Sequence, residues 1–386
     1  MKEKTDAFNN KAVKVPFFVP EITDSDRRSV NNALKMPLLT DGPILMEFEK
    51  AFAKFTGAKY AIGVSNATAA LQLVLRSFGL KKDDEVLVPD QTFVATANAV
   101  LLAGATPVLV DIEDDMNISV ESIKRSITSK TKAIIPVHLA GKACKIDEIK
   151  KIAREQNLFL VEDCAHAIGT IYKHTHVGNF GHAGCFSFYP TKNMTTIEGG
   201  MVITNSKKID QYIRQSRNHG ITKNLSQRFS KNVKPWDYDV IESGFNYRLD
   251  EIRSALGLSQ LRRIEQINLH RKEISQYYND NLSYVRGIEL PNMANDKSHS
   301  YHLYIIKVTK EYKMSRDKLF NKFRRAGIRT SVHYKPLHEF SVLKKKSKIY
   351  DRLDNTKILY GQILSLPLYV GLTKRKQDLV IRCIKE

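Results

Sequence analysis

The 386-residue sequence predicts an α/β protein with a large domain of mostly parallel sheet and a smaller C-terminal α+β domain. Three observations predict this fold class. Apolar runs of strand length alternate with segments of helical periodicity through the first two thirds of the chain, as is typical of βαβ units. The runs are apolar throughout, as expected for strands covered on both faces of a sheet. After about residue 285 the pattern changes, which indicates a second domain.

The elements of the large domain are predicted from apolar spacing. Phe48, Phe52 and Phe55 recur at helical spacing and predict a helix at 43–56. Further helices are predicted at 67–78, 146–156 and 250–282, the last of which is expected to divide in two. Strands are predicted at 85–88, 107–110, 133–137, 158–161, 184–188 and 201–204.

The smaller domain is predicted from a strand at 301–308, a helix at 317–326 and a loop that ends in Val332-His333-Tyr334. We place its start inside the long helical stretch. The predicted division is therefore an N-terminal arm at 1–29 that packs on the small domain, a large domain at 30–265 and a small domain at 266–386.

The charge of the chain is strongly basic, with 61 Lys and Arg against 41 Asp and Glu, a net +20. The basic residues are spread along the chain and mixed with acidic ones. Clusters such as 344–346 and 374–376 lack the interleaved aromatic residues of nucleic-acid platforms. We interpret the charge as a lysine-rich solvated surface, with attraction of a small anionic substrate as the alternative, and we expect no nucleic-acid partner.

Cysteine usage and apolar segments indicate a soluble cytoplasmic protein. The four cysteines form no CxxC pair, which argues against a disulfide framework and a zinc ribbon. Residues 1–10 are polar and lack a signal-peptide core. The uncharged stretch at 92–110 contains Asn98, Gly104 and Pro107, so we interpret it as a buried helix followed by a strand and expect no membrane span.

Polar residues that could carry chemistry follow the predicted strands directly. Asn66-Ala67-Thr68 opens a helix, Glu162-Asp163 closes a strand, and 187–192 leaves another. In open α/β sheets, ligands bind at the carboxyl ends of the strands. The coincidence of these segments predicts one site at that edge of the sheet.

Each of these segments has an ordinary alternative. Lys192 is either a solvated charge or, because its flank is apolar and Gly199-Gly200 permits close approach, a desolvated lysine able to form a Schiff base. Asp163 is either a helix cap or the carboxylate that pairs with the protonated ring nitrogen of pyridoxal phosphate (PLP). Asn66-Ala67-Thr68 is either a simple N-cap or a phosphate cradle. Phe93 is either a core aromatic residue or a ring that stacks on a planar cofactor.

Taken together, these segments resemble the DegT/DnrJ/StrS family of sugar aminotransferases, which are PLP-dependent enzymes of fold type I. The resemblance runs from about Phe17 to Leu372. Further matching motifs are Thr40-Asp41-Gly42-Pro43, His138 through Gly141, Asn218-His219-Gly220, Gly244 through Leu249, Gly257 through Leu261, His333-Tyr334-Lys335-Pro336 and Ser365-Leu366-Pro367.

The resemblance implies a role for each candidate residue. Lys192 is implied as the lysine that binds PLP covalently, Asp163 as the partner of the ring nitrogen, and His166 as the residue that faces the phenolic oxygen. Phe93 is implied as the stacking ring, and Ala67, Thr68 and Ser187 as phosphate ligands. Asn246 matches an asparagine that reaches the phosphate of a neighbouring subunit, which implies a homodimer with shared active sites.

The resemblance also implies the substrates, a sugar nucleotide as acceptor and glutamate as donor, and a role in surface polysaccharide or glycan biosynthesis. The implied sugar-nucleotide contacts are Phe17, Pro37, Leu38, Leu39, Thr40, Val332, His333, Tyr334 and Lys335. The run 191–200 and the bulky loop at 220–238 are similar to enzymes that aminate C4 of 4-keto-6-deoxy sugars. The alternatives are a C3 aminotransferase, a PLP-dependent sugar dehydratase, in which a histidine replaces the equivalent of Lys192, and a nucleic-acid-binding regulator.

Two departures from the family pattern stand out. His174-Thr175-His176 replaces a glycine-containing turn, and with His182 and Cys185 it could suggest a metal site. We expect instead solvent-facing histidines and no metal. Ala67 stands where many members have glycine, at the closest approach of the backbone to the phosphate.

Overall fold

The computed structural model describes residues 13–223, 234–291 and 298–386. A seven-stranded sheet, a three-stranded sheet and a two-stranded hairpin form its β-structure. Within those three ranges, every helix is too short or too polar to cross a lipid bilayer. Much of the loop at 220–238, used above to assign the subfamily, lies outside the described residues.

The seven-stranded sheet forms the centre of the large domain. The strands up to residue 204, including the hairpin β6–β7, are β1 (Tyr60–Val64), β2 (Glu85–Pro89), β3 (Thr106–Val110), β4 (Thr131–Ile134), β5 (Phe159–Asp163), β6 (Ile171–Tyr172), β7 (Thr175–His176), β8 (Ala183–Ser187) and β9 (Gly200–Thr204). The order in the sheet is β1-β9-β8-β5-β4-β2-β3. All neighbours from β8 to β3 are parallel, and only β9 runs antiparallel to both of its neighbours. The predicted mostly parallel sheet is confirmed.

Helices cover the sheet and continue into the C-terminal part. They are α1 (Asp24–Ala33), α2 (Pro43–Thr56), α3 (Ala67–Ser77), α4 (Ala95–Leu102), α5 (Val120–Ser126), α6 (Ile146–Glu155), α7 (Lys207–Ser216), α8 (Glu251–Leu261), α9 (Ile264–Leu282), α10 (Arg316–Arg325), α11 (Ser341–Lys346), α12 (Asp354–Gln362) and α13 (Lys374–Lys385). The helix predicted at 43–56 is confirmed, and the stretch predicted at 250–282 divides after Leu261 as expected.

The three-stranded sheet forms a second core. Its strands are β10 (Ile288–Glu289), β11 (Tyr304–Val308) and β12 (Ile363–Leu366), all antiparallel. Buried side chains of helices α9, α10 and α13 pack with it. Val15 of the N-terminal arm joins this core and pairs with Ile328. The domain limits at 30–265 and 266–386 stay an interpretation of the sequence.

The limits of most predicted strands differ by one or two residues from those in the structure, and two predicted strands end or begin three residues short. The run at 133–137 forms a strand only to Ile134, and the run at 301–308 forms one only from Tyr304. Before Tyr304 the chain bonds instead to the loop after β4. Ser300 N donates to Gly141 O and His302 N to Ala140 O, both at 2.9 Å. These long-range bonds, which no local pattern predicts, shorten the strand.

Candidate active site

Lys192 lies on the loop that leaves β8, where its main-chain N–H donates to Tyr189 O at 2.9 Å. Its side chain is partly buried. Burial lowers the pKa of Lys192 to about 8, although the negative charge of Asp163 acts in the opposite direction. A lysine with this pKa exchanges protons near neutral pH, as a general base or nucleophile requires.

Asp163 ends β5 and is only 5 % exposed. Its Oδ2 accepts a hydrogen bond from Thr96 Oγ1 at 2.9 Å and its Oδ1 accepts one from Ala165 N at 3.1 Å. Desolvation still raises the pKa of Asp163. Within the described residues no lysine or arginine forms an ion pair with it, so this buried carboxylate lacks a cation. A protonated pyridine nitrogen would supply that cation, so the site fits PLP.

The N-terminus of α3 can hold a phosphate. Asn66 caps the helix by accepting from Ala69 N at 2.8 Å, and the first-turn amides of Ala67 and Thr68 have no carbonyl partner within the helix. Gly200 of β9 packs against this turn, because a Cβ there would lie 2.6 Å from the carbonyl carbon of Asn66. Ser187, at the end of the adjacent β8, is partly exposed.

His166 and Tyr334 form a hydrogen-bonded pair between the two cores. His166 Nδ1 accepts from Ala140 N at 3.2 Å, and burial holds the pKa of His166 well below its usual range. The neutral ring must therefore carry its proton on Nε2. Nε2 lies 3.1 Å from the Tyr334 hydroxyl and donates to it, which leaves the tyrosine proton available for a ligand.

Phe93 lies on the loop after β2 and is 55 % exposed, so the alternative of a core aromatic residue is wrong. Its ring is 5.8 Å from the ring of Tyr334. The loop is held in place by Gln91, which donates to Tyr334 O at 3.1 Å, and by Asp90, which accepts from His338. Phe93 therefore presents a free aromatic face beside Tyr334.

The implied sugar-nucleotide residues fall into two groups. Phe17 stacks on His333 with ring centroids 5.5 Å apart, and both line a cavity with Tyr334. Val332 and Lys335 flank this pair, and Lys335 Nζ lies 3.6 Å from Glu339. The second group, Pro37, Leu38, Leu39 and Thr40, is exposed on a loop whose Leu39 O accepts from Glu251 N.

Asn246 is exposed, on a segment that pairs with Asn218. The neighbouring Tyr247 O accepts from Ser65 N at 2.8 Å, so this segment runs beside the start of α3 in its own chain. Whether Asn246 serves its own site or that of another copy is decided by assembly.

Sequence reasoning missed a buried polar group next to Lys192. Asn193 donates to Ser300 O at 2.7 Å, and its Oδ1 lies 3.1 Å from His302 Nδ1. The His302 ring is 4.3 Å from that of His166, and Arg271 Nη2 donates to His302 O at 2.6 Å. The signal available in the sequence was the pair of histidines at 299 and 302, at the start of the strand predicted at 301–308.

The expectation of solvent-facing histidines in the β6–β7 hairpin is wrong for one of them. His174 is exposed, but His176 is 6 % exposed, and its Nε2 accepts from Gly169 N at 2.9 Å. Burial lowers the pKa of His176 to about 4. The hydrogen bond from Gly169 explains the buried position of His176, because this bond holds the hairpin against the chain that follows β5. His182 Nδ1 accepts from Leu160 N at 3.1 Å, and Cys185 is fully buried.

A different group, His138, Glu162 and Cys164, brings possible metal-binding atoms together. The oxygens of Glu162 and both ring nitrogens of His138 already form hydrogen bonds, however. Glu162 accepts from the main-chain N–H groups of Gly178, Phe180 and Gly181, and from His138 Nε2 at 3.0 Å. We interpret this group as a structural clamp on the chain between β7 and β8.

Comparison with known proteins identifies relatives along almost the whole chain. The model of the DegT/DnrJ/EryC1/StrS aminotransferase family matches residues 20–385. Spore coat polysaccharide biosynthesis protein SpsC of Bacillus subtilis is 36% identical over 377 residues, 96% of each chain.

Solved structures show the same fold. Helicobacter pylori PseC, an aminotransferase involved in the biosynthesis of pseudaminic acid, superposes with a TM-score of 0.89 at 30% identity, over 96% of this chain and 97% of its own. The putative sugar aminotransferase Spr1654 of Streptococcus pneumoniae, in its pyridoxamine phosphate form, gives a TM-score of 0.89 at 29% identity, over 96% of this chain and 98% of its own.

Proposed function

Because the chain belongs to the DegT/DnrJ/EryC1/StrS aminotransferase family, we propose that it transfers an amino group from glutamate to the ketone of a sugar nucleotide. It is a PLP-dependent aminotransferase with the fold of that enzyme class. The observation that carries the site assignment is Asp163, a buried carboxylate that forms no ion pair with the described residues and lies at the same sheet edge as a lysine of lowered pKa.

We propose that the acceptor is a 4-keto-6-deoxy sugar and that the product enters a surface polysaccharide or glycan. Two relatives support the role in glycan biosynthesis. SpsC is named for spore coat polysaccharide biosynthesis, and PseC for the biosynthesis of pseudaminic acid. The basic surface, with a net charge of +20, favours the approach of an anionic sugar nucleotide.

The cofactor is held by residues of the large domain. Asp163 would pair with the ring nitrogen, Phe93 would stack on the ring, and His166 would face the phenolic oxygen. The phosphate would bind at Ala67, Thr68 and Ser187. When bound, PLP withdraws electrons from the carbon attached to the amino group, so that this carbon can lose and regain a proton.

Lys192 would move that proton. Because burial lowers its pKa to about 8, the Nζ atom of Lys192 is able both to accept and to return a proton near neutral pH. The Tyr334 hydroxyl, whose oxygen accepts from His166, would donate its hydrogen bond to an oxygen of the substrate. Phe17 and His333 would cover the sugar nucleotide and exclude water.

We also propose that the enzyme works in the cytoplasm as a homodimer with shared active sites. Support for the dimer comes from large apolar side chains exposed on one copy. They include Leu38, Leu39, Met46, Ile197, Val240 and Ile241. Asn246, exposed beside the start of α3, would reach the phosphate of the other copy.

The experiment that tests this function is incubation of the holoenzyme with glutamate and a panel of keto sugar nucleotides. The expected result is a product whose mass shows replacement of the ketone oxygen by an amino group, formed with 4-keto substrates and accompanied by 2-oxoglutarate. Product formed only from 3-keto substrates would show that the enzyme aminates C3 of the sugar and not C4. Loss of water without gain of nitrogen would indicate a dehydratase.

A further inference from the structure

A small cavity lies beside Lys192, between the N-terminal arm, helix α9 and the chain after β12. Its lining includes Lys192, Arg271, Tyr369 and Glu21, whose carboxylate forms an ion pair with Arg263. Phe18, Ile267 and Val370 are among its apolar walls. Arg271 also lines the neighbouring cavity that contains His333 and Tyr334. The guanidinium group therefore stands between the catalytic lysine and the implied sugar-nucleotide residues.

Arg271 is a buried cation that forms no ion pair with the described residues. It is 4 % exposed, and its Nε and Nη2 donate to the main-chain oxygens of Tyr301 and His302 at 2.8 and 2.6 Å. Its Nη1 makes no hydrogen bond with the part of the chain that the structure describes, and no carboxylate there pairs with it. Burial alone lowers the pKa of Arg271 to about 9. A buried charge of this kind is stabilised by an anion.

Tyr369 supplies a second unused donor. It is 3 % exposed, and its Oη has no hydrogen-bond partner among the described residues. Other buried tyrosines do have one, since Tyr278 Oη donates to Pro367 O and Tyr312 Oη to Ile384 O. A buried hydroxyl without a protein partner can donate to a bound water, ion or ligand.

We propose that this cavity binds the carboxylate of the amino-acid donor, the one on the carbon that bears the amino group, through Arg271 Nη1 and the Tyr369 hydroxyl. The proposal rests on the aminotransferase function and names the donor subsite. In an amino acid this carboxylate is two bonds from the reacting nitrogen, so it must bind close to Lys192. In a sugar nucleotide the diphosphate is on C1, across the ring from a keto carbon at C4. The carboxylate therefore suits this cavity better than the diphosphate does.

The donor half of the reaction isolates this subsite because no sugar is needed. Glutamate is mixed with the PLP holoenzyme, and the absorbance of the cofactor is followed in a single turnover. In Tyr369→Phe, which removes a hydroxyl without a protein partner, we expect the apparent Kd of glutamate to rise about tenfold, with the KM of the sugar acceptor unchanged. Tyr312→Phe, a buried tyrosine remote from the cavity, is the matched control and should change neither.

A binding measurement separates a carboxylate subsite from a general effect on catalysis. Calorimetry of the holoenzyme with maleate, an unreactive dicarboxylate, should show binding that weakens about tenfold in Tyr369→Phe and about thirtyfold or more in Arg271→Gln. Arg271→Lys keeps the positive charge, so its loss of maleate affinity should lie between those of Tyr369→Phe and Arg271→Gln. Because Arg271 also holds two carbonyls, circular dichroism must show that these variants are folded; the Tyr369→Phe result stands if they are not.

Unchanged glutamate and maleate binding in Tyr369→Phe would overturn the proposal. So would equal weakening for donor and acceptor, or the finding that chloride occupies the cavity without competing with maleate. The donor half-reaction also tests a different step from the panel of keto sugar nucleotides, so the two experiments can fail independently. If glutamate reacts as expected and no keto sugar is aminated, the proposed acceptor is wrong and the donor subsite stands.

Discussion

Asp163 is the residue at which a substitution should reduce catalysis without reducing the stability of the fold. Its charge is buried and its pKa is raised by desolvation. Asp163→Asn keeps the shape and an acceptor for Thr96, but cannot hold a protonated ring nitrogen. We expect turnover to fall by about a hundredfold or more, with a Tm equal to or above that of the wild-type apo-protein. The measurements are steady-state kinetics and thermal unfolding. Near-normal turnover would show that Asp163 is only a helix cap.

The lowered pKa of Lys192 predicts how the stability of the apo-protein depends on pH. Its folded pKa, about 8, lies below the usual 10.5, so the folded apo-protein disfavours the charged form. This penalty is fully present below pH 8 and disappears as the pH rises through 10.5. Lys192→Met should therefore stabilise the apo-protein at pH 7 by on the order of 1–3 kcal/mol, toward the lower value because the side chain is partly exposed.

The measurement is urea unfolding of the apo-protein at pH 7 and at pH 10. The stabilisation by Lys192→Met should be smaller at pH 10, because the penalty disappears as the pH rises through 10.5. Lys54→Met, at an exposed position on α2, is the control and should change the unfolding free energy by less than about 0.5 kcal/mol. If Lys192→Met destabilises the apo-protein at pH 7, Lys192 is not desolvated as the structure indicates.

At the scale of elements, Glu251 of α8 fixes the start of α2. Its carboxylate accepts from the main-chain N–H groups of Gly42, Ile44 and Leu45 at 3.0, 2.8 and 3.1 Å. A Cβ on Gly42 would lie 2.7 Å from Glu251 Oε2, so only glycine allows this approach. The arrangement also anchors the adjacent loop at 37–40, which is implied in substrate binding.

Glu251→Gln should destabilise the protein by about 1–3 kcal/mol, because an amide leaves one acceptor for three donors and removes the negative charge at a helix N-terminus. We expect the KM of the sugar acceptor to rise with little change in the KM of glutamate. Urea unfolding and steady-state kinetics measure both effects. Glu265→Gln, an exposed residue in the first turn of α9, is the matched control. An equal effect in the two variants would refute the anchoring role.

At the scale of the whole molecule, the proposed sharing of active sites predicts how mixed dimers behave. Asn246→Ala subunits lack the proposed phosphate ligand, and Lys192→Ala subunits lack the proposed catalytic lysine. In a mixed dimer one site would combine an intact Lys192 with an intact Asn246, while the other would carry both defects. With random exchange at equal amounts about half of the dimers are mixed, each with one working site.

Activity should therefore recover to roughly a quarter of the wild-type value per active site when the two variants are mixed. Subunit exchange is followed by fluorescence transfer between labelled copies, and each variant alone serves as the control. If exchange is demonstrated and activity does not recover, Asn246 serves the cofactor of its own chain.

The sequence by itself determined the fold class, the family and the cofactor. Local patterns carry this information, because apolar periodicity sets helices and parallel strands, and polar residues such as Asp163 and Lys192 follow directly after strands. The carboxyl ends of parallel strands meet at one edge of the sheet, so the sequence alone predicts that these residues lie near one another. The helix at 43–56 and the division after Leu261 were predictable for the same reason.

Only the tertiary structure decided which contacts complete the site. Tyr334 meets His166 across 168 positions, Glu251 meets Gly42 across 209, and Arg271 binds the carbonyl of Tyr301 across 30. No spacing rule relates such pairs, because they depend on how the two cores pack. Arg271 Nη1 and the Tyr369 hydroxyl, which have no hydrogen-bond partner among the described residues, are placed by the same packing. Each is an ordinary residue in the sequence, and becomes a candidate donor subsite only where folding buries it without a partner.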